Sequence, residues 1–325
     1  MNHSKRYIDV FNGDADGLCS LVQLRRADPR TSELVTGVKR DINLLQRVNA
    51  KNGDHITVLD ISFEKNSKDV QRLLTLGASL DYIDHHQTGV LIKHRSLKCD
   101  INLSAETCTS LIVDKKLQGQ YRQWAIVGTF GDNLISVAKR VGRQSGIEES
   151  DLDLLQQLGT YLNYNSYGEN IDDLFFHPAK LYEKLCKYDS PLNFIKNDNQ
   201  TFTTLASGYE QDMLKVQNMP IKYKTSNIAV ILLPNEKWAK RASGVYINLL
   251  ANKYPECAHA ILTQKNNANY VVSIRAPKNQ KQGADSLASK FPTGGGRKAA
   301  AGINDLPKNK LDYFIEVMES FFPAA

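Results

Sequence analysis

The chain has 325 residues, 41 Lys or Arg against 35 Asp or Glu for a formal charge of +6, and 42% hydrophobic residues. That length and apolar content suit two domains, each with its own core. No apolar segment approaches the ~20 residues of a membrane span, and the polar start Met1-Asn2-His3-Ser4-Lys5-Arg6 precedes no signal core, so the expected location is cytoplasmic. Five cysteines without Cys-x-x-Cys spacing argue against a disulfide framework and a structural zinc site.

Residues 7–11 read as a short strand, broken by Asn12-Gly13-Asp14-Ala15-Asp16-Gly17. Beyond the break, Leu18, Leu21, Val22 and Leu24 recur at helical spacing, with Cys19 on the apolar face as a core residue. Residues 55–59 predict a strand ending in Asp60, and residues 79–83 another ending in Asp84-His85-His86. Helical segments such as 68–76 separate them. The apolar run before Asp132 is read as β-like too. Strands alternating with helices predict a parallel sheet with helices on both faces, and ligands of such sheets bind outside the carboxyl ends of the strands, where these acids fall.

Each signal taken singly has a plainer reading. Asp-x-Asp in a glycine-rich loop is usually a turn, a lone Asp after a strand is commonly a helix cap, and adjacent histidines can be surface residues. Their succession at the ends of separate runs points instead to ligands that converge in space. Two divalent cations about 3.5–4 Å apart need several anionic oxygens and a bridging carboxylate, and between them activate a water. Imidazole shifts the preference toward manganese, iron or zinc. Asp14 and Asp16 could face one metal each, with Asp60 as the bridge and His85 and Asp132 completing the coordination of the second metal.

Further along, residues 163–167 read as a packed polar and aromatic loop. The stretch 187–200 is the best break, followed by a helix over 202–217 that ends before Pro220. The predicted organisation is a catalytic domain over 1–190, a linker with a connecting helix over 191–222, and a smaller domain over 223–325. The last of these carries 14 Lys or Arg against 7 Asp or Glu, which places the excess positive charge in one half of the chain. An acidic metal site paired with a basic domain suits a polyanionic substrate. Residues 271–275 predict a strand showing Ser273 and Arg275 on one face. Gly294, Gly295 and Gly296 would let backbone N–H groups approach a phosphate, helped by the start of an Ala-rich helix.

The segments Asp14-Ala15-Asp16-Gly17, Asp60, Asp84-His85-His86 and Gly128-Thr129-Phe130-Gly131-Asp132 resemble motifs I to IV of the DHH phosphoesterase superfamily. Residues 294–302, Gly-Gly-Gly-Arg-Lys-Ala-Ala-Ala-Gly, resemble the glycine signature of the associated DHHA1 domain. The resemblance implies an α/β DHH domain with a parallel sheet, joined by a helical linker to a smaller α/β DHHA1 domain, with the active site in the interdomain cleft. It implies metal ligation by Asp14, Asp16, Asp60, His85 and Asp132, two ions of manganese type, and His86 facing the scissile phosphate. Asp84 would orient the segment, and Ser273, Arg275, the three glycines and Arg297 would hold the nucleotide.

Two positions depart from that pattern. Asn12 stands where the family usually has a histidine ligand, and its carbonyl is a harder, weaker donor. Arg297 replaces a histidine and can grip phosphate without titrating. The expected substrate is a short linear oligonucleotide or dinucleotide of the pGpG or pApA type, cut to nucleoside 5′-monophosphates as by the stand-alone nanoRNase branch. The alternatives are a RecJ-like single-strand exonuclease, a phosphoadenosine phosphatase or cyclic-dinucleotide phosphodiesterase, and a nucleotide-binding regulator without catalysis. No membrane and no stable protein partner are expected, and the sequence is compatible with a homodimer.

Overall fold

The computed structural model describes residues 5–323. The chain divides into two compact units, Met1–Ser207 and Gly208–Ala325. The first is built on five parallel strands, β1 (Tyr7–Phe11), β2 (Glu33–Val35), β3 (His55–Leu59), β4 (Ser79–Asp84) and β5 (Leu97–Ile101), in the order β2-β1-β3-β4-β5. Its helices are α1 (Ala15–Ala27), α2 (Phe63–Thr75), α3 (Thr109–Lys116), α4 (Arg122–Gly131), α5 (Ile135–Gln144), α6 (Glu149–Asn165), α7 (Pro178–Leu185) and α8 (Pro191–Asn197). The next helix, α9 (Asn199–Gln217), contains the division between the units.

Alternation along the strands sets the two faces of the sheet. Ile8, Val10, Ile56, Val58, Leu80 and Tyr82 pack with Val70, Leu73 and Leu74 of α2. The opposite face carries Asp9 and Thr57, which meet Arg25 of α1. Helices therefore cover both faces, which is what buries a parallel sheet. The chain leaves β1 for β2 on one side and reaches β3 on the other, so the strand order reverses between β1 and β3. Crevices for ligands open at such a reversal.

Three local expectations are corrected. The apolar run before Asp132 is helix α4, although Ile126, Val127, Thr129 and Phe130 are strand formers. Eight of its ten residues are buried, so the run shows no strand-like alternation, and its glycines allow close helix contact: a Cβ on Gly131 would lie 2.2 Å from the Cβ of Ala15. Residues 163–167 include the C-terminal turn of α6, where Asn165 donates to and accepts from the backbone of Phe176 at 2.9 Å each. The polar stretch 187–200 contains α8, because Ser190 caps it through the Asn193 N–H at 3.1 Å and Pro191 preorganises its first turn.

The second unit has a six-stranded sheet of β6 (Ile221–Lys224), β7 (Ile228–Leu233), β8 (Ala258–Gln264), β9 (Tyr270–Arg275), β10 (Gly294–Arg297) and β11 (Ala300–Leu306), in the order β10-β11-β9-β8-β7-β6. Only β7 and β8 are parallel. Helix α10 (Lys237–Lys253) and the end of α9 pack through Trp238, Ile247, Met213 and Val216 on Ile231 and Ile261. The other face is covered by α11 (Ala284–Ala288) and α12 (Leu311–Phe321), through Leu287, Phe314 and Met318.

The expected Ala-rich helix after Gly296 is absent among the described residues. The segment is a β-hairpin, with Gly295 opposite Gly302 and Arg297 opposite Ala300. The five residues between Gly296 and Gly302 are too few to sustain a helix. Gly296, at φ +147°, adopts a backbone that side chains resist.

His259 of β8 is buried, with no hydrogen-bond partner for Nδ1, and burial lowers its pKa to about 4. An unfolded histidine titrates near ~6.5, so the unfolded chain takes up the proton first. The second unit is expected to lose roughly 2–3 kcal/mol of stability as pH falls from ~6.5 toward ~4. Urea unfolding at pH 7 and pH 4.5 checks this, and His259→Leu should remove that part of the slope.

Candidate metal centre

Four segments bring acids and imidazoles together beyond the carboxyl ends of β1, β3 and β4. Asp14 is the N-cap of α1, with Oδ1 accepting the N–H groups of Asp16 and Gly17 at 3.1 Å each. Asp16, in the first turn, is nearly fully buried and accepts two backbone N–H groups from the start of α3, Thr109 at 2.8 Å and Ser110 at 2.7 Å. Asp60 follows β3 with φ +58°, a left-handed backbone that Asp tolerates better than most residues. Its Oδ1 accepts the Thr109 hydroxyl at 3.1 Å.

His85 follows β4 and stands among three carboxylates. Its Nε2 lies 3.4 Å from Asp60 Oδ1, 3.8 Å from Asp132 Oδ2 and 3.9 Å from Asp16 Oδ2. Ligand atoms each ~2.1 Å from a common ion sit roughly 3–3.5 Å apart, so small movements would close this set on a cation. Two overlapping groups among the described residues could hold an ion: Asp16, His85 and Asp132, and Asp60, His85 and His86. The first of these, two carboxylates with one imidazole, suits manganese or iron, and neither group contains a cysteine.

The electrostatics record crowding of negative charge. Burial, then the charges of Asp14 and Asp16, push Asp60 well above the usual carboxylate range. Burial and Asp16 raise Asp132 to about 7. Burial opposes the charged form of His85, but its hydrogen bond with Asp60 and the charges of Asp60, Asp16 and Asp132 outweigh that and lift it to about 10. A divalent cation relieves this crowding, and its binding should release protons.

The remaining expected residues fall into two places. His86 Nδ1 lies 2.7 Å from Asp84 Oδ1, which fixes the ring, while Asp84 is fully buried. Asn12 turns its side-chain carbonyl to the Asp14 N–H at 3.3 Å, a turn contact. In the second unit, strand register places Arg297, Ala300 and Arg275 in one row and Gly295, Gly302 and Ser273 in the next. Paired residues share a face, so two arginines and a serine frame a floor of small residues. Arg275 donates to Asn248 of α10 at 2.8 Å.

Sequence reasoning missed Lys39. Its Nζ donates to Asp14 Oδ2 at 2.5 Å and to Asn163 Oδ1 at 2.9 Å. No periodicity marks a lysine after a loop, and its partner Asn163 is 124 residues away. Thr109 and Ser110 were missed as well, although a Ser/Thr pair opening a helix is a cue for donors to an acid.

No family model and no curated protein matches the chain. Solved structures do. A manganese-bound exonuclease RecJ shares 15% identity over 98% of this chain and 90% of that one, with a TM-score of 0.65. A pGpG-specific phosphodiesterase, PggH of Vibrio cholerae, shares 15% identity over 98% of this chain and 99% of that one, at 0.59. The DHH domain of a protein described as belonging to a family of ribosomal proteins shares 14% over 97% and 86%, also at 0.59. The class is therefore settled at the level of architecture: the chain has the α/β fold of DHH-domain proteins. Within that class it carries a carboxylate and histidine cluster able to hold a metal, and no described helix is long and apolar enough to cross a membrane.

Proposed function

We propose that the chain is a metal-dependent phosphodiesterase that hydrolyses short linear oligonucleotides or dinucleotides of the pGpG type to nucleoside 5′-monophosphates. The observation that carries this reading is the position of His85 Nε2, 3.4–3.9 Å from Asp60, Asp132 and Asp16. A divalent ion held there, of manganese type, would supply an acidified water and neutralise charge developing on phosphorus. Of the ion pair expected from the sequence, this set supports one directly.

The chain's own residues supply the rest. Asp60 and Asp16, fixed by Thr109 and Ser110, present oxygens that need no reorganisation. His86, with Nδ1 held by Asp84, is the group assigned to face the scissile phosphate and to protonate the departing oxygen as its bond to phosphorus breaks. In the second unit, the face framed by Ser273, Arg275 and Arg297 is assigned to the nucleotide, with Gly294, Gly295 and Gly296 leaving room for close approach. The likeness to a pGpG-specific phosphodiesterase supports a dinucleotide, and the likeness to an exonuclease supports a longer strand.

A length series decides between them. With manganese, linear di- to decanucleotides are expected to be cut fastest at two residues, with rates falling beyond ~5 nucleotides, the scale of one stacking module. Rates that hold with length would assign an exonuclease, and preferential cleavage of cyclic dinucleotides or phosphoadenosine phosphate would assign those reactions. Binding without product would leave a regulator.

A further inference from the structure

Asp14 is one of the acids expected to hold a second ion, yet neither cation-capable group includes it. Its Oδ1 already accepts two N–H groups, those of Asp16 and Gly17, and its Oδ2 accepts Lys39 Nζ. Each carboxylate oxygen offers about two lone pairs, so Oδ1 is filled and Oδ2 is occupied by a charge. The neighbouring candidate ligand, Asn12, spends its carbonyl on the Asp14 N–H.

Lys39 is held there from several sides. Its Nζ also donates to Asn163 Oδ1 of α6, its backbone N–H donates to Ser166 O at 2.9 Å, and its ammonium stands 6.0 Å from the centre of the Tyr167 ring. The end of α6 and the residues just after it thus present an acceptor and an aromatic ring to a lysine whose remaining partner is the α1 cap. An ammonium in this position neutralises Asp14 permanently and would repel a divalent ion brought to the same carboxylate.

We propose that the Lys39 ammonium is the resident cation of the Asp14 end of the centre, so that the protein takes one divalent ion, among Asp16, Asp60, His85 and Asp132, and not two. The inference rests on the metal reading of the site and deepens it. Asn12 and Lys39 then form one arrangement: a weak ligand faces no metal because a side-chain cation stands in its stead. The charge balance agrees, since four carboxylates are met by one lysine and one divalent ion with a single negative charge left over. Adding a second ion beside Lys39 would turn that balance positive.

The test is stoichiometry. Protein stripped of metal and dialysed against manganese is analysed for bound metal by mass spectrometry and for Mn–Mn coupling by electron paramagnetic resonance. The expected result is one ion per chain with an uncoupled spectrum, lost in Asp132→Ala. The Lys39→Met, Asn12→His double variant, which removes the ammonium and restores an imidazole, is expected to take two ions and show coupling. Two ions with a coupled spectrum in the unaltered protein would overturn the inference while leaving the metal reading intact. One ion that survives Asp132→Ala would also overturn it, by placing the ion elsewhere. No bound manganese at all would overturn the metal reading and the inference with it.

Discussion

Asp60→Asn is expected to cut hydrolysis by about 10³-fold or more and, in metal-free protein, to raise the melting temperature by several degrees. On the proposed mechanism, the first effect follows from losing a charged oxygen that would stabilise the transition state by several kcal/mol. The second follows from burial and from the charges of Asp14 and Asp16, which together hold the Asp60 pKa well above its ordinary value. A carboxyl whose folded pKa is raised binds its proton more tightly in the folded state. Its ionisation therefore costs stability as pH rises from the unfolded value through the folded one. Asp132, raised to about 7, acts in the same direction. Metal-free protein should thus weaken as pH rises from ~4 to ~7, and manganese should stabilise it more at pH 8 than at pH 5. Asparagine keeps the shape and tolerates the left-handed backbone at φ +58°, so the variant isolates charge from fold. Turnover and melting are measured on one preparation. Retained turnover would remove Asp60 from the mechanism, and a lower melting point would contradict the crowding argument.

The second large effect lies away from the metal centre. Asp9 points from the middle of β1 into the core, fully buried, and is met by Arg25 Nε at 2.8 Å and Nη2 at 2.6 Å, with Ser32 Oγ donating at 2.6 Å. Arg25 Nη2 also reaches Thr57 Oγ1 of β3 at 3.0 Å, which ties α1 to two strands. Asp9→Ala leaves a guanidinium buried without its anion and is expected to cost about 3–5 kcal/mol. The double replacement Asp9→Leu, Arg25→Met removes both charges and should recover most of that loss, because apolar groups of similar volume avoid the desolvation penalty. Denaturant unfolding of Asp9→Leu, Arg25→Met and their double replacement gives the coupling energy. A coupling near zero would show that the pair does not hold α1 to the sheet.

How much of this could be read from the chain depends on the range of the interaction. Strands β1, β3 and β4 were legible because each is an apolar run that ends in polar residues, and a candidate ligand follows each strand within three residues: Asp14, Asp60 and His85. Asp132 was legible as a residue while its support was misread, since Ile126, Val127 and Phe130 favour strands, and the packing that makes them helical lies in Ala15 and Gly159, on other helices. The alanines after Gly296 misled in the opposite sense, because the hairpin depends on pairing with β9 and not on local preference. Lys39 was invisible for the simplest reason. A lysine in a loop is a surface residue by every local measure, and only the folded chain brings it to Asp14 and Asn163.

The first unit's sheet also sets an order of events during synthesis. All five strands have emerged by Ile101, but α4 and Asp132 come later, and α3 must dock on Asp16 before that acid is anchored. A nascent chain stalled between these points would hold a nearly complete ring of acids with neither its last member nor the amides that steady it. On the proposed metal reading, manganese affinity should appear during refolding only once α3 and α4 have docked.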